Sequence, residues 1–179
     1  GSMNNHIEKL RQGALDLSYN ALPAPDPASQ LKLIPTSTTE IYAVMLPSHP
    51  LAAFEKINLH QLSGVDIILL DEKSHIREQI MEEFQRVGVL PRVRSTHEQI
   101  FCMMNMVKLG NFVGFLNASD PIMCQYLSDI GLAIRPLDPP VTFATGFIVN
   151  TGKHLPKLAT ELIDFTRRLE AEEKAERTH

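Results

Sequence analysis

Charge, a hydroxyl and unpaired backbone donors coincide in one stretch of this chain, Asp71-Glu72-Lys73-Ser74-His75-Ile76. It separates an apolar run, Val65–Leu70, from a segment, His75–Val87, in which Ile76, Ile80, Phe84 and Val87 share a helical stripe. A turn from strand into helix leaves the first amides without partners, and those amides, with the helix dipole, attract anions. Lys73 would add positive charge, Ser74 a hydroxyl, and His75 and Ile76 their N–H groups. The competing reading makes Ser74 an ordinary cap and leaves Lys73 in solvent. Ser95-Thr96 poses the same choice at the next helix start, and there capping is the stronger reading, with Glu98 completing a partial capping box.

Other chemistry finds little support. The histidines at 6, 49, 60, 75, 97, 154 and 179 form no HxxxH or HxH pair with a carboxylate at ligand spacing, so no metal or other cofactor is expected. His49 belongs to a Pro-Ser-His-Pro turn and reads as structural. A Gly-rich phosphate loop, a GxSxG elbow and a CxxC pair are all missing, which disfavours an enzyme. Cys102 lies in the apolar run FCMMNMV, where an inert core thiol would sit, and Cys124 is the only other cysteine. Two cysteines suit a reduced, cytoplasmic protein.

The elements that must position the turn follow from periodicity. A helix is expected over Asn5–Gln12 ending at Gly13, then strands over Ala14–Tyr19, Leu31–Ile34 and Glu40–Leu46, with Thr36–Thr39 a polar loop. Strands over Val65–Leu70, Val89–Val93, Phe112–Leu116, Leu132–Leu137 and Phe143–Val149 alternate with helices over His75–Val87, Ser95–Leu109, Pro121–Ser128 and Pro156–Glu173. The last helix is expected to bury Leu158, Leu162, Phe165 and Leu169, and the charged tail Glu170–His179 to fray. Met103, Met104 and Met106 read as core packing unless exposed. Strand–helix alternation implies an α/β fold with mostly parallel sheets. Strands follow one another without a helix near residues 40–46 and 132–149, the natural places for the chain to cross between two lobes.

The ordered motifs resemble the effector-binding domain of LysR-type transcriptional regulators. Carrying the resemblance are Arg11-Gln12-Gly13-Ala14-Leu15-Asp16-Leu17, Val44–Ala52 with its His-Pro-Leu-Ala, and Leu59–Leu62. Ile76–Gly88, Ala118-Ser119 and Pro136-Leu137-Asp138 add to it, over roughly residues 6 to 170. The sequence departs from the family pattern at Phe112 and Asn117, and the strand–helix–strand that normally opens lobe I is not matched.

The resemblance implies a two-lobe fold like a type 2 periplasmic binding protein, with two crossing strands and an incomplete lobe I. Lobe I would be 1–43 plus 143–179, and lobe II 44–142. It also implies that a small effector, a carboxylate or other anion, sits between the lobes and modulates DNA-bound oligomers. Lys73, Ser74, His75 and Ile76 become first-choice contacts, followed by Ser95 and Thr96, then Thr142 and Phe143 with Thr145 at the return crossing; Thr36–Thr39 could line the cleft mouth, but a polar loop is the favoured reading. Self-association as a dimer or tetramer is implied, as is contact with promoter DNA only through an N-terminal domain outside this sequence.

Composition agrees with that division of labour. A net charge of −4 over 179 residues disfavours direct binding of nucleic acid. No apolar run reaches a membrane span and no secretory leader opens the chain, whose Gly1-Ser2-Met3 reads as a tag scar. Two alternatives stay open: a free-standing solute-binding protein of the same fold, or, less favoured, a small-molecule enzyme. Effector, target genes and the sense of regulation are not written in these residues.

Overall fold

The computed structural model describes residues 3–26, 28–118 and 121–177. Gly1, Ser2, Ser119 and His179, named above, lie outside the described residues, as does Pro27. The chain divides into two compact units, one of residues 1–38 and 143–179, the other of residues 39–142.

In the first unit, helix α1 (Met3–Gln12) ends where Gly13 takes φ +77°, a left-handed turn that a side chain resists. Strand β1 (Leu17–Ala21) pairs antiparallel with the distal part of β7 (Ala133–Asn150), Leu17 opposite Val149 and Ala21 opposite Thr145. Strand β2 (Leu31–Met45) lies on the other side of β7, which leaves β1 at the end of the order. The approach of β2 is close: a Cβ on Gly146 would fall 2.2 Å from the Ile34 carbonyl oxygen. Ile34, Phe147, Val149 and Ile163 form the core, and Tyr19 meets Phe147 edge-on with centroids 5.0 Å apart.

The second unit is built on β4 (Asp66–Leu70), paired in parallel with β5 (Arg92–His97) and bridged to Val113 on its other side. Ile67 to Leu70 are all buried, as a strand covered on both faces requires. Around it stand α2 (His75–Arg86), α3 (Ile100–Leu109) and α4 (Pro121–Asp129). Strand β6 (Gly114–Asn117) pairs antiparallel with the end of β2, Ile41 opposite Asn117. The two-residue β3 (Ile57–Asn58) pairs with Leu137-Asp138 of β7. Val44, Ile68, Met103, Met104, Val107, Leu116 and Leu127 fill the interior. The methionines are therefore core. The exposed apolar residues of α3 are Phe101 and Leu109.

Several expectations need correction. Leu31–Met45 is one strand, because β-branched threonines extend readily and the polar residues 36 and 37 find partners across to Thr145. Ala133–Asn150 is likewise one strand despite Asp138-Pro139-Pro140, whose first peptide bond is cis. There the strand's described pairing is only with β3, so a missing donor costs little. Pairing is mixed rather than mostly parallel, since helical crossovers occur only in the second unit. Strand β5 begins at Arg92 instead of Val89, past Pro91, which lacks a donor. Cys102 is exposed.

The last helix, α5 (Lys157–Arg177), carries the largest correction. Leu158 is 77% exposed and Phe165 52%, and Leu162 and Leu169 are exposed with them. Ala159 and Ile163, one position further round, face the core instead, Ile163 at 4%. The helix also continues through the tail expected to fray, to Arg177.

Candidate functional site

Parallel pairing of β4 and β5 puts the two turns that follow them side by side. After Leu70 the chain turns through Asp71–Ser74 into α2, and after His97 it turns through Glu98-Gln99 into α3. The turns are stitched together: the Asp71 amide donates to the His97 carbonyl at 2.9 Å, and the Lys73 ammonium lies 3.9 Å from the Glu98 carboxylate. In open α/β sheets this edge, beyond the carboxyl ends of the strands, is where ligands meet helix N-termini.

Within the first turn, Asp71 organises the backbone. Its carboxylate accepts from the Lys73 amide at 3.2 Å and its carbonyl from the Ser74 amide at 3.0 Å. Ser74 occupies the N-cap position with extended backbone, φ −84° and ψ 123°, but its side chain makes no cap hydrogen bond. The capping half of the alternative is thereby set aside; Lys73 is exposed to solvent, as its other half has it. The Ser74 hydroxyl and the first amides of α2 are not spent on each other.

His75 and Ile76 divide between surface and core. The imidazole Nδ1 of His75 lies 2.9 Å from the Glu78 carboxylate, which orients the ring along the helix. Ile76 packs against the core of the unit. Its side chain is an anchor that holds the amides in place.

Arg77 was not legible as a site residue. It occupies the third position of α2, where an acidic residue would suit the dipole better. Its guanidinium folds back to donate to the Leu70 carbonyl at 3.3 Å and approaches Glu72 at 4.0 Å. The visible signal was a basic residue on the wrong end of a helix, a local rule broken with no gain to helix stability.

Ser95 and Thr96 lie inside β5, opposite Ile68 and Leu69, and not at a helix start. The expectation that they cap α3 fails for that reason; Gln99 holds the cap position and makes no side-chain cap bond. Ser95 instead bonds His97 Nε2 at 3.0 Å, which links it to the stitched turns. So the structure brings the turn at Asp71–Lys73 against His97 and Glu98, with Ser95 joined to His97. Thr142 and Phe143 stand outside that pairing, on β7, the first exposed and the second half-buried.

The first unit holds a separate set of hydroxyls. Tyr19 and Thr36 are 3.2 Å apart, Thr36 donates to the Thr145 carbonyl at 3.4 Å, and Ser37 and Thr145 meet through their hydroxyls at 2.7 Å. Thr36–Thr39 is strand and not the favoured loop, and a polar run does not show which of its hydroxyls share a face until its strand is known.

Among the described residues, no group of three His, Cys, Asp or Glu side chains could hold a metal ion, and no helix is long and apolar enough to cross a membrane. Residues 1–171 match the LysR substrate binding domain. The transcriptional dual regulator GltC of Bacillus subtilis (strain 168) is 25% identical over 165 residues, covering 92% of this chain and 54% of that protein. The chain spans about half or less of the length of the curated relatives it matches. Of solved structures, the effector binding domain of QuiR in complex with shikimate superposes with a TM-score of 0.82 at 17% identity, over 96% of this chain and 79% of that one. The BenM effector binding domain with its effector benzoate gives 0.79 at 21% identity, over 97% and 78%. Those likenesses establish the α/β fold of LysR effector-binding domains. With the family match running through nearly its whole length, the chain belongs to the LysR substrate binding domain family.

Proposed function

We propose that this domain senses a small anion, a carboxylate in the first instance, at the turn between β4 and α2. Lys73 supplies charge, the Ser74 hydroxyl and the amides of His75 and Ile76 supply donors, and Arg77 deepens the positive potential from behind. Ser95 and Thr96 flank this group; Thr142 and Phe143 are secondary candidates. The uncapped Ser74 is the observation that carries the reading: its hydroxyl and the first amides of α2 make no hydrogen bond to each other, and the Lys73 ammonium stands beside them. Shikimate and benzoate, bound by the QuiR and BenM domains, are both carboxylates, which fits the same chemistry.

Effector occupancy then biases an equilibrium between two conformations of a longer regulator, by no more than the difference in its affinity for them. Promoter DNA is met by another segment of that regulator, and oligomers carry the signal. The division of labour rests on the relatives being transcriptional regulators and on the acidic charge of this piece.

A calorimetric screen of small carboxylates, starting with shikimate and benzoate, finds the ligand. With that ligand the double substitution Lys73→Ala and Ser74→Ala weakens binding by about tenfold or more, the worth of one charge-assisted hydrogen bond. Unchanged affinity in the double variant sinks the site assignment.

A further inference from the structure

A hollow of about 500 Å³, lined by both polar and apolar side chains, lies at the opposite end of the same parallel pair. Asp66 and Arg92, the first residues of β4 and β5 and register partners, form one wall. The turn at Lys73 follows the far end of β4, roughly 13 Å away at about 3.3 Å per residue. The two places are chemically independent.

His49 is the first sign that the hollow is built to bind. Its side chain is buried, at 5% exposure, and Nδ1 accepts the Leu51 amide at 3.1 Å. A nitrogen that accepts cannot carry the proton, so the neutral ring holds it on Nε2. His49 lines the hollow, and Nε2 is the ring nitrogen left to donate. Burial lowers the His49 pKa, which keeps the ring neutral and the tautomer fixed.

The acidic wall is the second sign. Asp66 Oδ2 pairs with Arg94 at 2.9 Å, while Oδ1 is shielded from solvent and receives no aligned hydrogen bond, although Arg92 Nε lies 3.2 Å away. An acceptor in that state costs free energy until a donor reaches it. Arg92 spends Nη2 on the Gly64 carbonyl at 2.6 Å, which leaves Nη1 for a ligand. Two guanidiniums on one carboxylate leave one positive charge in surplus. Leu51 and Phe112 supply apolar wall, and Asn111 an amide at the rim.

We propose that this hollow is a second ligand site, for a small hydroxy acid with an apolar body. The carboxylate takes the His49 Nε2–H and Arg92, the hydroxyl donates to the Asp66 carboxylate as that side chain turns toward it, and the body lies on Leu51 and Phe112. A volume of this size suits a single-ring acid.

Mandelate has those parts and serves as the probe; phenylacetate lacks the hydroxyl and mandelamide the charge. The whole chain, labelled with ¹⁵N-histidine, is titrated while the imidazole nitrogens are followed, His49 being identified by the signal lost in His49→Phe. The expected result is a saturable shift of His49 Nε2, with phenylacetate and mandelamide about tenfold weaker or worse. Arg92→Met should lose a similar factor, and the Lys73→Ala, Ser74→Ala variant none. A His49 signal that stays still at saturation, or an affinity that Arg92→Met leaves intact, overturns the proposal. Loss of mandelate binding in the Lys73/Ser74 variant also overturns it while leaving the sensing turn standing.

Discussion

At the scale of single residues, two side chains that resist their surroundings carry the account. Ser74 declines to cap, and Arg77 sits at a helix start that disfavours it. His49 is the third unusual residue, a buried imidazole whose pKa is lowered from its ordinary 6.5 by burial. The folded state therefore holds a neutral ring where the unfolded chain takes up a proton. As pH falls below 6.5 the unfolded state binds more protons, so stability is full above that pH and declines beneath it. Urea denaturation at pH 7.5, 6.0 and 5.0 should show that decline, and it should be shallower in His49→Phe. Equal pH slopes for the two proteins would remove His49 from the acid sensitivity. Sequence placed the Lys73–Ile76 turn and the proline-bounded His49. It could not show that Ser74 leaves its amides uncapped, because a serine ahead of a helix looks the same whether or not its hydroxyl turns inward.

Among the elements, α5 shows how far periodicity reaches. Its stripe of Leu158, Leu162, Phe165 and Leu169 is well spaced, yet the packed residues are Ala159 and Ile163. A helix with apolar residues on more than one face gives its existence away but not its docking angle, which neighbouring strands decide. Ile163→Ala should cost about 2–4 kcal/mol, as a cavity in a closed core does, whereas Leu162→Ser should stay within about 0.5 kcal/mol. Guanidinium denaturation midpoints of the two variants measure the difference; equal losses would place the stripe in the core after all. Periodicity divides β2 and β7 into two pieces each, because proline and polar runs interrupt the pattern, yet each is one strand. Where a strand pairs through most of its length, local punctuation such as Pro139 is tolerated at the stretch that needs few donors. The shifted start of β5 had a functional consequence, since it moved Ser95 and Thr96 from a helix cap into a strand beside the turn.

For the molecule as a whole, family and α/β class were legible because they rest on the order of many loose motifs, from Gly13–Leu17 through His49–Ala52 to Pro136–Asp138. The acidic balance has its own consequence. At −4, this chain should give no measurable anisotropy change with a labelled DNA duplex at ~0.15 M salt, since duplex affinity comes chiefly from phosphate neutralisation. Micromolar binding would move DNA contact into this domain. The central claim, an anion held at the β4–α2 turn, is tested most directly by amide chemical shifts in ¹⁵N-labelled protein titrated with the carboxylate that binds. The amides of Ser74, His75 and Ile76 should shift most, together with that of Arg77, and the response should vanish in the Lys73→Ala, Ser74→Ala variant. Saturable binding that leaves those amides still would contradict the account.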